Sequence, residues 1–378
     1  MEMNRAVVAM QPSGIRRITA EARRIEGCIS LTLGEPDFDT PAPVCERTRR
    51  ALGEGYTHYP PNAGYEPLRA QIAAHENARH GTDYTADEVI VTAGSTEAIA
   101  SALLAILNPG DEVIVPVPAF GLYEQLIALA GGVDVPLHTE ADGFQIAQER
   151  LDACLTPRTK AILITSPNNP TGCVLETASL ERVARAAREH DLFVLLDAVY
   201  DRLVYRPDVP HLMDDRTLRD RLIVVQSFSK PYAMTGWRVG YGIADAPVAR
   251  QMLKVHAALV VGVSAFSQRG CEGIFDVDIE PMRLRYLQRR DYVLGRLEKM
   301  GLETVRPDGA FYVFPSIARF GMTSEAFALR LMREAKVAVV PSSCFGVEGF
   351  VRITYCYSDE ELREGMDRLE RFVESLER

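Results

Sequence analysis

The residues best equipped for chemistry lie between Ser227 and Tyr241, where SFSKPYAMTGWRVGY places Lys230, Ser227, Ser229 and Arg238 in one short segment. A lysine amine whose pKa is lowered by burial or by nearby cations serves as a nucleophile, and its usual covalent task is a Schiff base with a carbonyl. Pro231 disfavours helical dihedrals at Lys230, so the side chain is expected to project from a turn rather than from a solvated helix face. A lone loop lysine is ordinarily a surface charge, and the neighbours are what change the reading. Two hydroxyls and the planar fork of Arg238 suit a phosphate.

A carbonyl and a phosphate handled together point to pyridoxal phosphate. The segment resembles the lysine signature of the class I aminotransferases, the fold-type-I pyridoxal phosphate enzymes, and similar motifs recur from Pro12 to Tyr355. The resemblance implies an α/β fold: a large domain with a doubly wound, mostly parallel seven-stranded sheet, plus a smaller α/β domain built from both chain ends. The expected division is an arm and part of the small domain in 1–45, a large cofactor-binding domain in 46–284 and a small domain in 285–378.

The elements that must position the lysine are legible as strands followed by polar turns. LIVVQ (222–226) is a short apolar, β-branched run of the kind found in buried parallel strands, which puts Lys230 just beyond a strand's carboxyl end. EVIVTAGSTEAIASALLAIL (88–107) runs from a strand through Gly94, Ser95 and Thr96 into an amphipathic helix. The free N–H groups and dipole of such a helix start form a phosphate site, to which the Ser95 and Thr96 hydroxyls would add donors; a ligand-free N-cap is the other reading. EVIVPVPAF (112–120) and AILITSPNNPTG (161–172) repeat the strand and turn, carrying Phe120 and Asn169. FVLLDAVY (193–200) sets Asp197 directly behind four apolar residues, where a carboxylate requires a cationic partner. A protonated pyridine nitrogen is the partner that fits, because it keeps the ring an electron sink.

By the resemblance, Phe120 stacks on the pyridine ring, Asn169 and Tyr200 hydrogen-bond its phenolic oxygen, and Arg352 in VRITYCY clamps the substrate α-carboxylate. The GEPDF loop crosses the site mouth and its Gly34 backbone meets the substrate, although Gly34 also suits an ordinary tight turn. Tyr59 reaches the cofactor phosphate of a second subunit, which implies a homodimer, and Ile15, Tyr59 and Phe120 give an apolar substrate pocket. Thr96 stands near a position where some relatives for acidic substrates carry lysine, which leans away from aspartate. Ala198 departs from the DE[IV]Y pattern at a position that makes no ring contact. Arg269, amid small and apolar neighbours in SQRGCEG, reads first as one half of a surface salt bridge, with an acidic substrate group as the alternative.

The implied reaction moves an amino group between an L-amino acid and a 2-oxo acid, with Lys230, Asp197 and Tyr200 as its catalytic set. The same scaffold supports carbon–sulfur β-lyases, decarboxylases and oxidases, and the lyase is the alternative.

Composition narrows the field further. The chain has 378 residues, 47% hydrophobic and 25% charged, with a net charge of −10, which argues against nucleic acid and against a transcription-factor reading. Arg283, Arg285, Arg289 and Arg290 alternate with apolar residues at helical spacing and are expected on a solvated helix face. No apolar run has the length of a membrane span, and no leader pattern opens the sequence. Cys28, Cys45, Cys154, Cys173, Cys271, Cys344 and Cys356 form no CxxC pair, and the seven histidines show no metal-ligand spacing. A cytoplasmic protein without a metal is expected. SDEELREGMDRLERFVESL closes the chain as an amphipathic helix with a Ser358–Glu361 capping box.

Overall fold

The computed structural model describes residues 1–376. Its strands, in chain order, are β1 (Ile29–Ser30), β2 (Val89–Thr92), β3 (Glu112–Val117), β4 (Val133–His138), β5 (Thr159–Thr165), β6 (Phe193–Asp197), β7 (Leu222–Ser227), β8 (Gly240–Ala244), β9 (Tyr312–Val313), β10 (Val337–Ala338), β11 (Val340–Pro341) and β12 (Val351–Thr354). Seven of them make one sheet in the order β2-β8-β7-β6-β5-β3-β4. Only β8 runs against its neighbours, pairing antiparallel with both β2 and β7. This is the mostly parallel α/β sheet expected from the sequence.

Apolar runs without polar alternation are explained by burial on both faces. Ile114, Ile162, Ile164, Val194, Leu196 and Val224 enter one core together with Leu180 and Val183 of the Thr177–Glu189 helix. Their strand neighbours Val113, Val115, Ala161, Leu163, Leu195, Ile223 and Val225 enter the opposite core, with Ile99 and Leu103 of the Ser95–Ile106 helix. Each strand thus holds two helical layers, and its carboxyl end is left to carry function.

A separate core joins Leu31 to Tyr286, Val293 and Leu297 of the Glu280–Lys299 helix, to β9 and β12, and to Leu369 and Phe372 of the Asp359–Leu376 helix. β11, β12 and β9 form a small antiparallel sheet, while β1 pairs in parallel with β10, tying the start of the chain to its end. At the last helix, Ser358 Oγ accepts from Glu361 N at 3.2 Å and Ser358 N donates to the Glu361 carboxylate at 3.1 Å, closing the capping box. No helix among the described residues is long and apolar enough to cross a membrane.

After Ile29–Ser30 the chain passes into the GEPDF loop, whose approach is held by side chains: Leu33 N donates to Tyr357 Oη, which donates to Leu33 O, and Arg352 donates to Thr32 O. One expectation needs correction: the arginine cluster is not wholly solvated. Arg289 and Arg290 are buried, and Arg289 grips both Asp37 oxygens at 2.7 Å and Asp359 at 3.0 Å. Those partners lie hundreds of residues or a whole helix away, out of view of helical periodicity.

Candidate active site

β5, β6 and β7 end side by side, and the segments leaving them converge with the GEPDF loop and β12. Lys230, in the turn after β7, is half-buried and donates from Nζ to Gly34 O at 2.6 Å. Burial lowers its pKa to about 8, aided by the positive charges of Arg352 and Arg238 against the opposing pull of Cys356 and Glu35. Gly34 is held tightly from the other side as well, since a Cβ there would fall 1.9 Å from Tyr312 Oη.

Asp197 closes β6 at 4% exposure and belongs to no ion pair among the described residues. Its carboxylate accepts from Tyr123 Oη at 2.6 Å and from Val199 N at 3.3 Å, and burial lifts its pKa to about 6. Tyr123 also meets Thr165 Oγ1 at 2.7 Å. Tyr200 is buried, with its hydroxyl 2.7 Å from that of Tyr312. Burial lifts the Tyr312 phenol to about 12.

Arg352 is 1% exposed and has no carboxylate partner among the described residues. Its Nη1 donates to Asn169 Oδ1 at 2.7 Å and its Nη2 to Thr32 O, while Nε is buried without a hydrogen bond. The guanidinium lies between two rings, 4.5 Å from the centroid of Tyr312 and 5.0 Å from that of Phe345. Asn169 reaches it from a turn built by Asn168, whose Oδ1 accepts from Thr171 N and Oγ1. A buried cation in this setting has hydrogen-bond capacity left over for an anion.

A second anion cradle lies at the start of the Ser95–Ile106 helix. Its N-cap, Gly94, has φ +78° and no side chain with which to cap the helix. Arg238 leans over it so closely that a Cβ on Gly94 would lie 2.4 Å from Nη2, and Arg238 is in no ion pair with a carboxylate among the described residues. Ser227 Oγ donates to Ser229 Oγ at 2.8 Å on the same rim. Gly240 brings β8 so near that its Cβ would sit 2.9 Å from Ser95 N. The Ser95 and Thr96 hydroxyls carry no hydrogen bond within the described chain. Uncapped N–H groups, the helix dipole, hydroxyls and a guanidinium together form a phosphate cup, so the residues present fit pyridoxal phosphate: this cup for its phosphate, Asp197 for its ring nitrogen and Lys230 for its aldehyde.

Phe120 and Ile15 are half-buried against one core, with Phe120 edge-on to Tyr123 at 5.8 Å. Tyr59 is set apart: it is 89% exposed and joined to none of these groups by a hydrogen bond. Arg269 is committed to Glu272 and flanked by the rings of Tyr56 and Tyr65 at 4.6 and 5.8 Å, so its guanidinium is spoken for. Sequence reasoning missed Tyr123 and Tyr312; a tyrosine beside a strand end looks the same whether it packs or holds a carboxylate.

Away from this site, His80, Asp201 and His211 gather their ligand atoms within 4.8 Å. Arg79 takes one Asp201 oxygen at 2.8 Å and leaves the other without a hydrogen bond among the described residues, while His211 Nδ1 accepts from Met213 N at 3.2 Å, which puts the ring proton on the nitrogen that would have to ligate and opposes a metal there.

Comparison with known proteins identifies the family. Residues 26–369 match the family model for aminotransferase class I and II. A probable N-acetyl-LL-diaminopimelate aminotransferase of Bacillus subtilis is 42% identical, over 96% of this chain and 93% of its own. An aspartate aminotransferase of Pyrococcus horikoshii is 39% identical, over 97% and 96%. The structure of aspartate aminotransferase from Thermus thermophilus with maleate superposes with a TM-score of 0.94 at 38% identity, covering 98% of this chain and 99% of that one. The chain therefore belongs to the class I and II aminotransferases, enzymes that use pyridoxal phosphate to transfer amino groups.

Proposed function

We propose that Lys230 is the amine that carries the cofactor and then moves the substrate's α-proton, in a transamination between an L-amino acid and a 2-oxo acid. When bound, pyridoxal phosphate supplies an aldehyde for the amine and a protonated ring that accepts the electron pair of the α-carbon. Asp197 holds the proton on the ring nitrogen, its buried charge compensated by that cation. Tyr200 and the Nδ2 of Asn169 donate to the phenolic oxygen, and Phe120 covers the ring. Gly94, Ser95, Thr96, Ser227, Ser229 and Arg238 bind the phosphate, joined by Tyr59 from a second copy of the chain in a homodimer.

Arg352 takes the α-carboxylate, Gly34 lines its approach, and Ile15, Phe120 and Tyr59 border the substrate side chain. Lys230 Nζ, freed when substrate binds, would take the α-proton and deliver it, across the substrate nitrogen, to the carbon that was the cofactor's aldehyde; its lowered pKa suits a base near neutral pH. The division into 1–45, 46–284 and 285–378 and a cytoplasmic location belong to the same reading, the former supported by the separate core around Tyr286 and Phe372.

The observation that carries the reading is the nearly inaccessible Arg352, 1% exposed and without a carboxylate partner. Among donors, the apolar border and the engaged Arg269 favour neutral side chains over aspartate. The test is a panel of single amino acids mixed with the loaded protein. Conversion of the cofactor to its aminated form without ammonia release supports transamination. Pyruvate and ammonia from cystathionine, with the cofactor unchanged, would mark a lyase, and substantial turnover by Lys230→Ala would remove Lys230 from its role.

A further inference from the structure

Tyr312 has no part in the reading above, yet it touches both halves of the site. On the small sheet it lies directly opposite Thr354, so Arg352, two residues back along β12, is its diagonal neighbour on the same face. Long side chains in that relation reach each other. The Tyr312 ring lies 4.5 Å from the Arg352 guanidinium, and its hydroxyl lies 2.7 Å from that of Tyr200. The same oxygen abuts the Gly34 backbone, leaving no room for a Cβ there. Ring and hydroxyl thus have separate tasks: one backs the cation, the other meets the phenol.

We propose that Tyr312 is a positioning residue that links the carboxylate clamp to the cofactor side of the site, its ring seating Arg352 and its hydroxyl orienting Tyr200. The proposal rests on the roles given above to Arg352 and Tyr200. A Tyr200 hydroxyl turned to donate to the cofactor must present its oxygen as an acceptor to Tyr312, and a donor that itself accepts a hydrogen bond is strengthened. Removing the Tyr312 hydroxyl therefore weakens Tyr200 as a donor and makes the protonated form of the cofactor easier to keep. Removing the ring unseats Arg352.

The experiment pairs two variants with two readouts. In Tyr312→Phe, the pH midpoint of the loaded protein's visible absorption should rise by about half a unit or more, the size of one lost hydrogen bond. Binding of maleate or phenylpropanoate to the cofactor-free protein, measured calorimetrically, should stay within about twofold of the parent, because the ring is retained. In Tyr312→Leu that binding should weaken about tenfold. In a Tyr200→Phe background, Tyr312→Phe should not move the midpoint further. A midpoint that Tyr312→Phe leaves in place, or moves equally in both backgrounds, overturns the proposal. Unchanged carboxylate binding in Arg352→Met would instead bring down the role of Arg352, and the link with it.

Discussion

Replacing Asp197 by asparagine should push the cofactor-free and the cofactor-loaded proteins in opposite directions. The carboxylate is 4% exposed, and burial raises its pKa from 3.8 to about 6. At about 1.4 kcal/mol per unit, a shift of about two units is a penalty of at most about 3 kcal/mol on the cofactor-free fold at neutral pH. The sign follows from proton counting. Between pH 3.8 and about 6 the folded state holds a proton that the unfolded chain has released, so stability falls as pH rises through that window. The penalty is absent below it and complete above it.

Asparagine keeps the shape and can keep the contacts. Its Oδ1 accepts from Val199 N and its Nδ2 donates to Tyr123 Oη, which turns its own proton to Thr165. The cofactor-free variant should therefore melt about 4 °C above its parent at pH 8, with a smaller gain at pH 5. By the role proposed for Asp197, the loaded variant lacks the anion that would hold the ring proton, a buried charge pairing worth about 2–5 kcal/mol, so kcat/KM should fall by about 30-fold to several thousand-fold. Calorimetric melts of both forms at the two pH values, with steady-state kinetics, decide it. A variant that loses stability equally at pH 5 and pH 8 would refute the reasoning, because the carboxylate would then stabilise the fold by contacts that do not depend on its charge.

Four further outcomes are expected. Cofactor uptake by the cofactor-free protein, followed by absorbance, should accelerate with pH about a midpoint near 8, since the neutral amine is the nucleophile; a midpoint near 10.5 would contradict the lowered Lys230 pKa. By the same linkage Lys230 costs stability below pH 8, and that cost is relieved as pH rises from about 8 to 10.5. Gly94→Ala forces a side chain into φ +78° and to within 2.4 Å of Arg238 Nη2, so cofactor affinity by equilibrium dialysis should drop about tenfold, and unchanged affinity would empty the phosphate-cup argument. Arg289→Ala leaves Asp37 without its cation and Asp359 with Arg285 alone; discounting for partial exposure, urea unfolding should report a loss of about 1–2 kcal/mol, where a loss under about 0.5 kcal/mol would show the pairing to be idle.

What the sequence revealed and what it concealed divide along physical lines. Strands such as β7 and β6 were legible because burial on both faces leaves an unbroken apolar run, and Lys230, Asp197 and Asn169 stand where such runs stop. β4, reading VDVPLH with only Leu137 buried, lies at the edge of the sheet and has no such run to betray it. Arg289 looked like a solvated helix residue because the carboxylates that bury it, Asp37 and Asp359, are brought by the fold. Tyr123 and Tyr312 were silent for the same reason: a phenol's task is decided by the atom opposite it.

The one antiparallel strand of the seven-stranded sheet has a consequence for how such a chain tolerates change. Because β8 runs back beside β7, the backbone needs only residues 228–239 to return, where a parallel strand would demand a crossover helix. Lys230 and Arg238 both ride on that short return. An insertion or deletion in any earlier crossover shifts them together and leaves their mutual spacing untouched. The loops after β2, β3, β5 and β6 each bring one further group to the site, and their positions depend on separate crossovers, whereas the distance between Lys230 and Arg238 is set by this one short return alone.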